Sequence, residues 1–335
     1  MLKAAVIGLG AIGLMYDFEA QRPHPSTHVW GYESASGFEL KCGIDADIEK
    51  KNILHKVSPN AIFFSSLEDA IKNGALDDVD VISICTPPDS HLEILLNIIN
   101  AGIGKVVFCE KPIVVDLGEA KKLVDIVKET GTIVVPNISR RWNLVLRQVT
   151  DFIKSKKYGD IEKINIRYTR GIYNTGAHMF DLLKMWTGSP IKNVTTLNET
   201  HTSAQPEKSF CFYFNQFDGV TGYAEAIDDE HYYLFDIDLY CSKGKIEMRN
   251  SGDDIFCYVQ SSHSLFHGHK GLKLESHLTG ILNDNCIMNA INNIQRIIKG
   301  VEEPYCSLED AIYPLKVARA LETSYINGKM VEVYK

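Results

Sequence analysis

A lysine between a glutamate and a proline, Glu110-Lys111-Pro112, closes the apolar run Val106-Val107-Phe108-Cys109. Such a run, with turn residues before it and a proline after it, reads as a strand buried on both faces of a parallel sheet. Open sheets of that kind bind ligands just outside the carboxyl ends of their strands, so Lys111 is delivered to the mouth of a crevice. Pro112 ends the strand and biases the residue before it away from the helical region. An amine held there with little freedom suits a meeting with a hydroxyl group. A charged pair that only closes a strand would read the same, so the neighbouring constellations decide.

The first of these stands at the start of the chain. Residues 3–7 (KAAVI) read as a strand, and Gly8-Leu9-Gly10-Ala11-Ile12-Gly13 follows at once. This is G-x-G-x-x-G in the position where it binds a dinucleotide. Gly8 permits the tight turn, Gly10 lets the backbone approach a pyrophosphate, and Gly13 lets the next helix pack on the strand. The amino end of that helix is expected to offer N–H groups and a positive dipole end. A second strand, residues 38–44 (FELKCGI), ends at Asp45. An acid there accepts from the ribose hydroxyls of NAD and repels the extra phosphate of NADP, so NAD rather than NADP is the expected cofactor. The spacing exceeds the usual ~20 residues. The excess, residues 15–37, carries Pro23, His24, Pro25, Thr27 and His28 and reads as an inserted loop over the cofactor site. Its two histidines read as loop or cap residues.

Thr86-Pro87-Pro88 follows another buried strand, residues 79–85. The prolines make a rigid turn that lacks two donors and can lie against a flat nicotinamide or ribose. His91 stands in the first turn of the helix that follows. In the second half, residues 176–187 (GAHMFDLLKMWT) read as a helix. His178 and Asp181 share a face of it at i, i+3. Asn174 precedes the helix, where an N-cap is preferred. His263, His267 and His269 have no carboxylate or cysteine completing a set nearby, so residues 262–271 read as a loop near the substrate and no metal is expected.

The elements that must position these residues change character along the chain. Up to residue 137 strands alternate with helices, including a helix at 117–130 and a strand at 132–136. That pattern gives an α/β domain with a doubly wound parallel sheet. Residues 138–335 begin with a helix at 142–154. Short strand-like runs follow at 161–169, 191–197, 209–214, 219–226, 232–241 and 245–249. They suggest an α+β domain with a large open, mainly antiparallel sheet. A last helix spans 307–327, with Ser307 as N-cap and Gly328 after it. The runs between 209 and 249 are rich in Phe, Tyr and Ile, and one face of their sheet is expected to form a homodimer or homotetramer.

Composition narrows the partners. The formal net charge is -8 over 335 residues, which disfavours nucleic acid, a partner that needs a basic surface. No apolar run is long enough to span a bilayer, so no membrane partner is expected. The eight cysteines include no C-x-x-C pair, and three fall in buried strands, which suits a reducing compartment. No leader precedes the first strand. The expected location is the cytoplasm.

Gly8 to Gly13, Thr86-Pro87-Pro88 with His91, Glu110-Lys111-Pro112, and Gly176-Ala177-His178 with Asp181 stand in one order over one chain. That set resembles the Gfo/Idh/MocA family, of the glucose–fructose oxidoreductase and inositol dehydrogenase type, over nearly the whole length. The resemblance implies a Rossmann domain followed by a larger open antiparallel sheet. It implies reversible oxidation of a sugar or polyol hydroxyl with NAD(P). The lysine matching Lys111 binds the reacting hydroxyl and aids proton transfer. The histidine matching His178 acts in proton transfer or substrate binding. Many members carry an aspartate four residues before that histidine. Here the position is Asn174, which hydrogen-bonds but takes no proton near neutral pH, so Lys111 and His178 must carry more of the work. Cofactor contacts are expected from Gly8 to Gly13, Asp45, Thr86, Pro87, Pro88, His91 and Glu110. Substrate contacts are expected from Lys111, Arg140, Arg141, Tyr173, Asn174, His178 and Asp181. Arg140-Arg141 and the YNTGAHMFDLLKMWTG block resemble members of bacterial surface-sugar or sugar-nucleotide metabolism. Two other readings stay open. One is a sugar-sensing regulator that keeps the dinucleotide fold without turnover. The other is an enzyme that uses NAD as a recycled redox centre for elimination or hydrolysis.

Overall fold

The computed structural model describes residues 1–201 and 207–334. The chain divides into two compact units, Met1–Trp142 with Asn285–Ile312, and Asn143–Asp284 with Tyr313–Lys335.

In the first unit strands and helices alternate: β1 (Leu2–Ile7), α1 (His28–Ser34), β2 (Phe38–Ile44), α2 (Lys50–Val57), β3 (Ile62–Phe64), α3 (Leu67–Lys72), β4 (Val81–Ile84), α4 (His91–Ala101), β5 (Val106–Glu110), α5 (Leu117–Thr130) and β6 (Ile133–Asn137). Every strand pairing is parallel, in the order β3-β2-β1-β4-β5-β6. β4 and the body of β5 are buried throughout, which is why both read as mainly apolar runs, broken in β4 only by Ser83. Pro136 is accommodated because β6 is an edge strand. α5 starts where Asp116 accepts the N–H groups of Gly118 and Glu119, and it ends at Gly131 with φ 68°. The strand order reverses between β1 and β4, and open sheets of this type bind ligands at that switch point.

Two expectations need correction here. The glycine turn does not run straight into a helix. Leu14 and Met15 donate to Gly10 O and Tyr16 to Ala11 O, an irregular wide turn, followed by a short 3-10 turn at Met15–Phe18. The helix comes at α1, inside the stretch read as a loop, and its first N–H groups, of His28 and Val29, donate to Ile12 O and Gly13 O. A single cut after residue 137 also misses part of the first unit. Its apolar core includes Ile287, Ala290, Ile291 and Ile294 of α8 (Cys286–Ile298), packed with Val29 and Tyr32. The physical reason is burial: α8 has an apolar stripe, and its partners in α1 lie more than 250 residues away in sequence, with others near Trp142.

The second unit contains α6 (Leu144–Lys154), β7 (Ile161–Tyr168), α7 (Gly176–Thr187), β8 (Ile191–Thr200), β9 (Ser209–Gln216), β10 (Thr221–Ala226), β11 (Phe235–Cys241), β12 (Gly244–Arg249), β13 (Asp254–Ser262) and β14 (Lys270–Thr279). It also takes α9 (Leu308–Asn327) from Tyr313 onward, and β15 (Val331–Glu332). Among the described residues these strands form one sheet, in the order β14-β13-β12-β11-β7-β10-β9-β8-β15. β7 and β10 are parallel and the other pairs antiparallel. Inward side chains such as Ile166, Phe212 and Leu239 pack with Leu146, Phe180, Trp186 and Leu321 of the helices. The three-histidine stretch lies at the tip of the β13–β14 hairpin, with residues 263–269 outside the strands. α9 opens as expected at Ser307, whose Oγ accepts the Asp310 N–H while Asp310 accepts the Ser307 N–H, both at 3.1 Å. Among the described residues no helix is long and apolar enough to cross a membrane, and no group of His, Cys, Asp and Glu is arranged to hold a metal.

Candidate active site

At the switch point the glycines divide by what surrounds them. Gly8 has φ 89°, and a Cβ there would meet the backbone of Cys85 and Thr86 at 2.7 Å. A Cβ on Gly13 would lie 1.9 Å from Gly8 O. Both must be glycine for the fold. Gly10 differs, since a Cβ there would meet nothing within 4 Å. It opens onto a cleft of about 440 Å³ lined by Gly8, Asp45, Ser65, Thr86 and Pro87 among others. An open backbone at Gly10 inside such a cleft is what a pyrophosphate requires, so the residues present fit a dinucleotide.

Asp45, just past β2, has a second part. Its Oδ2 accepts the Leu9 N–H at 2.6 Å and its Oδ1 accepts the Asp47 N–H at 2.8 Å. The acid that is to meet a ribose therefore also holds the glycine turn in shape. A carboxylate has about four acceptor positions, so capacity remains for two ribose hydroxyls. Ser65, Ser66 and Glu68 line the same cleft and were not expected from the sequence. Their signal was available: Ile62-Phe63-Phe64 is a short strand, and Ser66 caps α3 by accepting the Asp69 N–H at 3.1 Å.

Thr86 and Pro87 line the cleft, and Pro88 starts a 3-10 turn leading to α4. Two expected cofactor contacts turn inward instead. His91 is buried, with Nδ1 2.8 Å from Pro112 O and Nε2 2.7 Å from Thr86 O. Glu110 Oε1 receives His28 Nε2 at 3.0 Å and Asn137 Nδ2 at 2.6 Å. His28, read as a loop or cap residue, is thus a fully buried partner of the strand end. Asn137 was not singled out either. Lys111 follows Glu110 at the carboxyl end of β5, partly buried, and its bond to Pro112 is cis. Cys85 and Cys109 lie nearby in the core, and burial pushes both thiols well up, as befits inert apolar packing.

Of the two arginines in the 3-10 turn Ser139–Trp142, Arg141 is buried. Its guanidinium donates to Asp310 and to Tyr305 O, both at 3.0 Å. Arg141 is therefore a structural residue, and Arg140 is the partly exposed one of the pair. In the second unit Tyr173 and Asn174 lie in a π-helical turn, Gly171–Thr175, that leads directly into α7. This corrects the N-cap assigned to Asn174. The backbone is already helical there, and the Asn174 N–H donates to Glu207 at 3.0 Å. Tyr173 stacks beside the Arg319 guanidinium at 5.5 Å, and burial, with the Glu322 carboxylate, pushes its phenol up. His178 is partly buried in the first turn of α7, and Asp181 is buried one turn on.

Comparison with known proteins agrees with this geometry. Residues 2–138 match the family model described as "Oxidoreductase family, NAD-binding Rossmann fold", GFO_IDH_MocA. An inositol 2-dehydrogenase of Rhizobium meliloti (strain 1021) is 32% identical over 98 residues, which cover 29% of this chain and 28% of that protein. The chain spans less than two thirds of the length of the curated relatives it matches. Two solved structures share the fold over the whole chain. An NAD-binding protein from Listeria innocua superposes with TM-score 0.74 at 17% identity, covering 100% of this chain and 98% of that one. The transcriptional regulator Gal80p from Kluyveromyces lactis superposes with TM-score 0.77 at 15% identity, covering 100% and 94%. Residues 2–138 therefore match the NAD-binding Rossmann domain of the Gfo/Idh/MocA oxidoreductase family, and their sheet has the strand order that domain requires.

Proposed function

We propose that this chain is an NAD-dependent dehydrogenase acting on the CH–OH group of a sugar or polyol, including sugar nucleotides of bacterial surface-sugar synthesis. The observation that carries the reading is Lys111 at the carboxyl end of β5, in the unit whose switch-point cleft fits a dinucleotide. Bound there, the nicotinamide supplies hydride transfer, which is the cofactor's own chemistry. The chain supplies the rest. Gly10 admits the pyrophosphate, and the remaining acceptor positions of Asp45 take the ribose hydroxyls and disfavour NADP. Thr86, Pro87 and Pro88 lie against the flat part of the cofactor. Lys111 holds the reacting hydroxyl and moves its proton. His178 is the second proton-transfer group by its match to the family histidine, while Asn174 binds without taking a proton. Arg140, Tyr173 and Asp181 complete the proposed substrate contacts.

The same reading includes a homodimer or homotetramer through the outer face of the second unit's sheet. A shallow depression of about 600 Å³ there is lined by Tyr213, Tyr223 and Tyr240 with Lys163 and Asn165. A cytoplasmic location is proposed as well, supported by eight free thiols.

The test is a panel of polyols, sugars and sugar nucleotides with NAD⁺ and NADP⁺, read as absorbance of reduced cofactor and as product mass. Reduced NAD with an oxidised product supports the reading. Product without net reduced NAD points to a recycled cofactor. NAD and sugar binding with no turnover anywhere on the panel favours a sensor, the reading that the likeness to Gal80p supports.

A further inference from the structure

Lys111 stands between two buried imidazoles. On its amino side, Glu110 Oε1 is gripped by His28 Nε2 at 3.0 Å and by Asn137 Nδ2 at 2.6 Å. On its carboxyl side, Pro112 O lies 2.8 Å from His91 Nδ1. His28 is 0% exposed and His91 1%. Each ring is also anchored at its other nitrogen. His28 Nδ1 lies 2.9 Å from Ser83 Oγ, which is 2.8 Å from Tyr32 OH. His91 Nε2 lies 2.7 Å from Thr86 O. Ser83 is in β4 and Thr86 in the turn after it, so both rings fasten the end of β5 to the strand beside it.

The directions of these bonds follow from chemistry. A carboxylate only accepts, so His28 Nε2–H and Asn137 Nδ2–H donate. Trp142 Nε1–H donates to Asn137 Oδ1 at 3.0 Å, which turns the amide's NH₂ toward Glu110. With its hydrogen on Nε2, a neutral His28 accepts at Nδ1 from Ser83, and Ser83 accepts from Tyr32. Burial pushes the Tyr32 phenol up and keeps it a donor. The chain Tyr32, Ser83, His28, Glu110 therefore has one consistent sense. His91 meets a carbonyl oxygen at each nitrogen. A ring carrying both hydrogens donates to both, and a neutral ring donates to one at a time. Buried polar groups in such number cost free energy unless each is paired, and here the pairs converge on the tripeptide Glu110-Lys111-Pro112.

We propose that His28 and His91 are positioning residues for Lys111, bracing the Glu110 side chain before it and the Pro112 carbonyl after it and so fixing where its amine meets the reacting hydroxyl. The proposal rests on the assignment of Lys111 given under the proposed function. A misplacement of about 1 Å can lower a rate about 10²-fold, so the brace matters only if Lys111 acts on substrate.

Amide substitutions separate the two ends of each ring, because an asparagine Nδ2 stands near the place of histidine Nδ1 and a glutamine Nε2 near that of Nε2. His28→Gln keeps the donor to Glu110 and gives up Ser83, and His28→Asn does the reverse. His91→Asn keeps the donor to Pro112 and gives up Thr86, and His91→Gln does the reverse. In the whole chain, with the best substrate of the panel, His28→Asn and His91→Gln are expected to lose about 10- to 100-fold in kcat. His28→Gln and His91→Asn should stay within about threefold, and all four should keep NAD affinity within about threefold by fluorescence titration. Equal losses within each pair, losses that follow Tm, or losses shared with NAD affinity would overturn the brace. If the unmodified protein turns over nothing, the enzyme reading fails on its own, and the brace is read without activity. Lys111 Nζ, labelled by reductive ¹³C-methylation and assigned with Lys111→Arg, should then shift or split its NMR signal in His28→Asn and His91→Gln alone. The same signal in all four variants would overturn the brace.

Discussion

The two units place their polar side chains differently. In the first, Ser83, His28, His91 and Asn137 are buried, and their hydrogen bonds gather at the strand ends around Lys111. In the second, a network of charged side chains lies on the outer face of the sheet. Asp238 pairs there with Lys245 at 2.9 Å and with Arg249 at 2.5 Å, and Lys245 also meets Glu247. The inner face is filled by Phe180, Phe212, Phe214 and Trp186. These charged side chains are largely withdrawn from solvent, so each needs its partner. Buried polar groups are tolerated only with full pairing. The second unit also buries paired polar groups, such as Thr196 with Ser324 and Gln216 with Thr187, but there they tie helices to the sheet, whereas in the first unit they gather at the strand ends beside Lys111.

The comparison breaks most sharply at the glycine turn. Gly13→Ala puts a methyl on the Gly8 carbonyl, and overpacking of this kind costs up to about 3 kcal/mol or more. Urea unfolding should show that loss. Gly10→Ala should leave stability within about 1 kcal/mol, since its Cβ meets open space, yet weaken NAD binding. Equal destabilisation by both would remove the distinction between packing and cradle.

The outer face of the second unit gives the next effect. Tyr223→Asp should leave NAD affinity unchanged and turn an oligomeric mass into a monomeric one by light scattering. A monomer before substitution would refute the assembly.

Asp45 gives a smaller one. Asp45→Asn keeps an acceptor for the Leu9 N–H while removing the charge, so the NAD/NADP affinity ratio should fall by roughly tenfold, about 1.4 kcal/mol. Asp45→Ala should weaken both cofactors, because the glycine turn loses its tie. Unchanged selectivity in Asp45→Asn would detach Asp45 from cofactor choice.

The smallest concerns the β13–β14 hairpin. His277 bonds Asp254 at 2.6 Å and holds its carboxyl below the usual range. A lowered carboxyl contributes stability above its unfolded pKa and loses it as pH falls through the folded value. The deficit of His277→Ala in urea unfolding should therefore be under about 1 kcal/mol at pH 7 and close at acid pH. A deficit that persists at low pH would assign it to the stacking of His277 on Phe256, whose rings lie 4.1 Å apart.

What the sequence made legible was local. β1 and its glycines, α5 with Asp116 and Gly131, and α9 with Ser307 each carry their signals within a few residues. What escaped depended on distant partners. α8 is amphipathic, but nothing near it tells that its stripe packs on α1. His28 and Glu110 are 82 apart in sequence, and their types alone allow a surface pair as readily as a buried one. Asn174 was misread because a π turn continuous with α7 removes the need for a cap. The β13–β14 hairpin was hidden because its turn, residues 263–269, is long and carries three histidines that drew the reading toward a loop, although Gly268 at φ 80° is an ordinary turn residue.

The account rests most heavily on Lys111 acting on substrate and not on the cofactor, and Lys111→Arg tests this directly. Arginine keeps the charge but does not give up its proton. Cofactor affinity and turnover are measured on the same preparation. The account predicts NAD affinity within about threefold of the unmodified protein and a turnover lower by about 10²- to 10⁴-fold. Full turnover in Lys111→Arg, or a loss of NAD binding that alone explains the lost rate, would contradict it.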